Sequence, residues 1–138
     1  MAARNEFPSL GPLPVAGTPH DSAEPILDRA VMLLSVGNDL ALLRELVEIF
    51  FAEAPGLQAQ IRSGIGQGEA ESVERAAHTL KGTLASFGAL RARAVARDVE
   101  LHAHEGRLAD ARPFIPQLEA ELIQVFHALS DFLRDAVR

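Results

Sequence analysis

The sequence predicts an all-α protein, an antiparallel four-helix bundle with a short extra helix at its amino-terminal end. Three observations carry that reading. From Pro25 onward apolar residues recur at spacings of three and four, β-branched alternation is never sustained, and glycines punctuate the pattern where helices joined by short turns would end. At 138 residues the chain can bury one proper core. It has no Trp or Tyr and only 7 Phe, so Leu, Ile, Val and Ala must fill most of that core.

Residues 1–23 hold Pro8, Pro12, Pro14 and Pro19 with Gly11 and Gly17 and show no apolar period, so they read as a flexible tail or linker. The helical domain is expected over residues 24–136. A first short helix is expected over Ile26–Leu34, stopping at Gly37, with Asn38 or Asp39 capping the next amino terminus through a side-chain oxygen. The second helix starts at about Leu40 and carries the stripe Leu43, Leu46, Val47, Phe50, Leu57 and Ile61. Pro55 lacks an N–H and predicts a kink or break, and the helix should end between Gly64 and Gly68. The third spans Ala70–Ser86 and closes at a left-handed Gly88; the fourth spans Leu90–His104 and is ended by Gly106. The last is expected over Leu108–Ala136, with Pro113 and Pro116 disturbing its first turns and Gln117–Leu133 as its firmest part.

Composition excludes several classes of function. Apolar residues make up 48% and charged residues 23%, the balance of a folded, water-soluble unit. Without Cys there are no disulfides, thiolate metal sites or thiol catalysis. A formal charge of −6 argues against a nucleic-acid partner, since phosphate backbones reward clustered Lys and Arg. No apolar run approaches the roughly 20 residues of a membrane span and no secretory signal opens the chain, so a cytoplasmic location is expected. Gly-rich phosphate loops, paired acid–base carboxylates and nucleotide-binding fingerprints are absent, so the chain should not be an ATP-using enzyme.

The third helix carries the chemistry. At about 100° per residue, Val73, Ala77, Leu80, Leu84 and Phe87 cluster within about 40° of one direction, the core face. His78 then lies roughly 140° from the core, Gly82 about 180°, Ala85 about 120° and Lys81 about 80°. An outward imidazole, with an ordinary pKa near 6.5, is substantially neutral at about pH 7, and a neutral ring nitrogen is a nucleophile. Lys81, at i+3, brings a flexible cation that can attract phosphate oxygens. Gly82, at i+4, costs about 1 kcal/mol against Ala inside a helix, and in exchange it clears space. With Ala85 it lowers the surface around His78, making a docking site rather than a pocket.

The run Ala77-His78-Thr79-Leu80-Lys81-Gly82-Thr83-Leu84-Ala85-Ser86-Phe87-Gly88-Ala89 resembles the signature of the histidine phosphotransfer (HPt) domain family of two-component phosphorelays. Asp39, Leu40, Leu43 and Phe50 of the second helix and Val99-Glu100 of the fourth are similar to flanking features of that family, and the resemblance covers about residues 25–133. It implies that His78 is the phosphoacceptor, that Lys81 assists the phosphate and that Gly82 gives steric clearance. Leu84 stands where the family often has Ser or Ala, although its angle puts it in the core. The resemblance further implies a phosphocarrier rather than an enzyme. It would take a phosphoryl group from a receiver-domain aspartate and pass it to a response-regulator receiver, with response-regulator receiver domains, a hybrid histidine kinase or both as its partners. It would have no cofactor of its own, with Mg²⁺ supplied by the receiver. An exposed site served by one partner at a time suits a monomer. Two other readings stay open: the phosphoacceptor module of a chemotaxis-type histidine kinase, and a helical adaptor that docks without carrying phosphate.

The other histidines read as bystanders. His102 and His104, at i,i+2, point to different sides of a helix and cannot chelate a metal together. His20 falls in the tail, and His127 in the last helix has no ligand-like spacing around it.

Overall fold

The computed structural model describes residues 24–136; the expected tail and His20 lie outside them. The helices are α1 (Arg29–Ser35), α2 (Leu40–Gln67), α3 (Ala70–Ser86), α4 (Leu90–His104), α5 (Leu108–Ala111) and α6 (Phe114–Ala136), and no strand occurs among the described residues. The bounds of α3 and α4 are those the sequence predicts. Gly88 and Gly106 end them with φ of 66° and 73°, a left-handed backbone that side chains with a Cβ resist.

Three expectations need correction. The first helix begins at Arg29 rather than Ile26, because Asp28 is extended and its carboxylate accepts from the backbone N–H groups of Ala30 and Val31. The second helix runs through Pro55 without a break. Pro55 is exposed, on a side of α2 where water can satisfy the carbonyl that it leaves free. The expected last helix is two: α5 stops after one turn, Pro113 falls in the link, and α6 tolerates Pro116 in its first turn, where no intrahelical N–H bond is lost. Of the two candidate caps for α2, Asp39 is the one used, accepting from the Leu42 N–H at 3.1 Å. Asn38 instead takes a left-handed conformation at φ 65°.

The long helices close a ring, α2 against α3, α3 against α4, α4 against α6 and α6 back against α2, with α1 covering one end. The core takes Leu43, Val47 and Ile61 from α2, Val73, Ala77, Leu80 and Leu84 from α3, Val95 and Val99 from α4, and Leu118, Leu122 and Leu129 from α6. Each Val, Leu or Ile side chain among these contributes about 1.5–3 kcal/mol of burial. Phe50, Phe87 and Phe126 cluster between α2, the end of α3 and α6, with ring centroids 5.3–5.4 Å from Phe50. Alanine on α3 and α4 (Ala76, Ala77, Ala92, Ala96) lets these two helices lie close, which sets the spacing of the side chains on their shared outer edge. Gly64 allows a similar approach of α2 to α3, since a Cβ there would stand 2.5 Å from the Val73 side chain.

Candidate functional site

The wheel drawn from the sequence holds in three dimensions. Val73, Ala77, Leu80, Leu84 and Phe87 are all buried, and the opposite face of α3 carries His78 with 68% of its side chain exposed. The four-residue spacing puts Gly82 one turn from it, and a Cβ built there would meet nothing within 4 Å. No internal packing therefore requires the glycine, and what its missing side chain leaves is open surface. Thr79, Thr83 and Ser86 line the same side, and each hydroxyl donates back to the carbonyl four residues earlier, at 3.1, 3.2 and 3.4 Å. These short, back-bonded side chains keep the face low. Ala85, expected beside Gly82, is half-buried and stands outside this lining.

Across from that face α2 supplies Leu46, Ile49, Phe50, Glu53 and Leu57, and the two helices enclose an open groove of about 360 Å³ that ends at His78. Its floor reaches the buried rings of Phe50 and Phe87. Leu46 and Leu57, expected in the core stripe, are only half-buried and form part of the groove wall. Ile49 is 49% exposed. A solvated apolar wall of this kind is a surface on which a partner can dock.

On the other side of His78 stands Glu100 of α4. One carboxylate oxygen lies 2.7 Å from His78 Nδ1 and the other 2.7 Å from Lys81 Nζ. Burial pushes the Glu100 carboxyl up, but the hydrogen bonds and charges of Lys81 and His78 outweigh it and hold the group below its ordinary value of 4.5. Glu100 is thus ionised at neutral pH and can only accept, so the hydrogen of the short contact belongs to Nδ1. A neutral His78 then keeps its lone pair on Nε2, the nitrogen away from Glu100. The sequence marked Val99-Glu100 only as a flanking pair, and its part here follows from the packing of α4 on α3. Lys81, with 24% of its side chain exposed, is tied to Glu100 rather than extended into water.

This geometry sets a pH dependence. A carboxylate whose pKa is lower folded than unfolded stabilises the fold fully above its unfolded value and loses that contribution as pH falls through the folded one. Wild type is expected to exceed Glu100→Gln in urea-unfolding stability at neutral pH, with the gap closing as pH drops below about 4.5. A gap that stays constant down to about pH 3 counts against an ionised Glu100 as the anchor.

A second histidine–carboxylate pair lies farther along the same two helices, with His104 Nδ1 2.9 Å from Glu74 of α3. His102 points elsewhere, stacking on Phe114 at 5.5 Å. Among the described residues no group of three or more His, Asp or Glu is placed to hold a metal ion. None of the described helices is long and apolar enough to cross a membrane.

The family model of the Hpt domain matches residues 45–128, which include α3, α4 and every side chain of the site. Among solved structures, histidine-containing phosphotransfer protein B (HptB) from Pseudomonas aeruginosa PAO1 is similar at TM-score 0.75 and 21% identity, over 82% of this chain and 98% of that one. The HPT domain of the Hpt sensor hybrid histidine kinase from Shewanella is similar at TM-score 0.70 and 20% identity, over 80% of this chain and 95% of its own. At these identities the likeness is one of fold. The search of curated proteins finds no match.

Proposed function

This chain belongs to the Hpt domain family, the histidine phosphotransfer units of two-component phosphorelays, and we propose that His78 is the residue that carries the phosphoryl group. The observation that carries this reading is the short contact from His78 Nδ1 to Glu100 at 2.7 Å, on an imidazole that is otherwise open to solvent at the end of an apolar groove. The contact holds the ring and leaves Nε2 as the nucleophile.

In the proposed reaction a receiver's aspartyl phosphate enters over Gly82. The Nε2 lone pair attacks phosphorus, an N–P bond forms, the P–O bond to the aspartate breaks, and the carboxylate leaves with the electron pair. The imidazole gains positive character as the bond forms, and the Glu100 carboxylate on Nδ1–H stabilises it. Lys81 Nζ, already beside Glu100, is one helical turn from the arriving phosphoryl oxygens and can share its charge with them. The reverse reaction delivers the group to a second receiver. The receiver would supply the Mg²⁺, whose charge would offset that of the phosphoryl group. Positioning is the main burden of phosphoryl transfer, and positioning is what this surface offers. We assign the protein to the cytoplasm as a monomeric carrier, a state that leaves the groove free for one receiver at a time.

The test is transfer from a panel of receivers carrying radiolabelled aspartyl phosphate. Label is expected to move to this chain and to be lost in acid but kept in base, as a phosphohistidine requires. Receivers that bind without transferring label overturn the carrier reading in favour of the adaptor.

A further inference from the structure

Within the groove wall of α2 one side chain does not fit an apolar docking surface. Ile49 is followed one turn on by Glu53 and then by Leu57, so a carboxylate stands in the middle of the apolar row. Among the described residues Glu53 is the only acidic or basic side chain besides the His78 imidazole that lines the groove. Of the other carboxylates near the site, Glu100 pairs with Lys81 and His78 and Glu74 with His104, while Glu71, which shares a cleft with His78 on the side away from the groove, has no such pair among the described residues. Glu53 is exposed and has no ion-pair or hydrogen-bonding partner among the described residues. Glu45, one turn to the other side of Ile49, is exposed and likewise without such a partner, which extends the negative edge.

A partner that closes over Ile49 and Leu57 must strip water from Glu53. A buried, unpaired carboxylate is strongly unfavourable, whereas one met by a cation is not. We propose that Glu53 is a specificity-determining residue, selecting receiver domains that present a Lys or Arg where they meet α2 and rejecting those that present an acid or an apolar side chain. The proposal rests on the carrier reading above. It assigns Glu53 no part in the chemistry, because the residue stands on α2 while the groups about Nδ1 and the phosphoryl site come from α3 and α4.

The experiment measures phosphotransfer from the receiver panel to wild type, Glu53→Gln and Glu53→Lys, with circular dichroism to show that these exposed substitutions leave the helices intact. For receivers that label wild type, Glu53→Lys is expected to raise KM at least about tenfold at low salt with little change in kcat, and Glu53→Gln to fall between. Added salt should narrow the difference. Charge reversal of one basic residue on the receiver should restore transfer to Glu53→Lys while impairing it to wild type. Equal KM values for all three proteins overturn the proposal and leave the carrier reading standing. A loss with Glu53→Lys that no receiver reversal restores, or a loss in kcat alone, also overturns it. Failure of every receiver to label wild type defeats the carrier reading, and the selectivity proposal with it.

Discussion

Replacing His78 by Gln is expected to abolish labelling from every receiver, to background, while the fold and receiver binding persist. The substitution sits on the exposed face of α3, where changes alter stability by no more than about 0.5 kcal/mol, and the Gln amide can still donate to Glu100. What it lacks is an unprotonated ring nitrogen, so the N–P bond cannot form. His104 provides the control. Its side chain is exposed to the same 68% and its Nδ1 also meets a carboxylate, Glu74 at 2.9 Å. It stands instead over a separate cleft lined by Glu74, Lys81, Arg97, Glu100 and Leu101, which shares no residue with the groove. If positioning by the docked partner decides reactivity, His104→Gln should transfer at the wild-type rate. Residual acid-labile label on His78→Gln, removed only when His104 is also replaced, would show that the exposed histidine–carboxylate pair suffices and that the groove does not choose the acceptor. Receiver binding by the His78→Gln protein, measured separately, distinguishes loss of chemistry from loss of docking.

The parts of this site that lie on one helix were legible in the sequence. His78, Lys81 and Gly82 share a turn of α3, and a constant angle per residue places them relative to the core without further information. The bounds of α3 and α4 were legible for a related reason, since Gly88 and Gly106 supply a backbone conformation that ends a helix locally. What needed the structure is what depends on two helices at once. Glu100 is 22 residues from His78, and only the close packing of α3 on α4 brings it to Nδ1. The groove wall was misplaced for a similar reason: Leu46 and Leu57 have the periodicity of core residues, and periodicity cannot tell a core position from a rim one. Pro55 misled because its missing N–H matters only where water cannot replace the lost bond. The split between α5 and α6 was signalled by Pro113 and Pro116, but the tolerance of the second in a first turn shifted the break upstream.

Gly82 gives the other large effect, and it separates stability from function. Inside an exposed helix Gly is less favourable than Ala by about 0.5–1 kcal/mol, because it leaves the unfolded chain more freedom to lose. At this position a Cβ has nothing within 4 Å, so no clash offsets that gain. Gly82→Ala is therefore expected to raise the thermal midpoint by a few degrees. Gly82→Leu should also fold at least as well as wild type, yet its side chain would rise one turn from His78 on the face over which the proposed reaction brings the receiver. A displacement of about 1 Å in the reacting groups can cost about 100-fold in rate, and a leucine introduces more bulk than that. Transfer to Gly82→Leu is expected to fall by about that factor, with the alanine variant between. The pattern to look for is opposite movement, with the melting temperature up and phosphotransfer down across the series. A Gly82→Leu protein that unfolds earlier than wild type would mean that the glycine serves packing. One that accepts phosphate at the wild-type rate would mean that partners do not approach over α3 at this turn, and the docking geometry would have to be redrawn from the α4 side of His78.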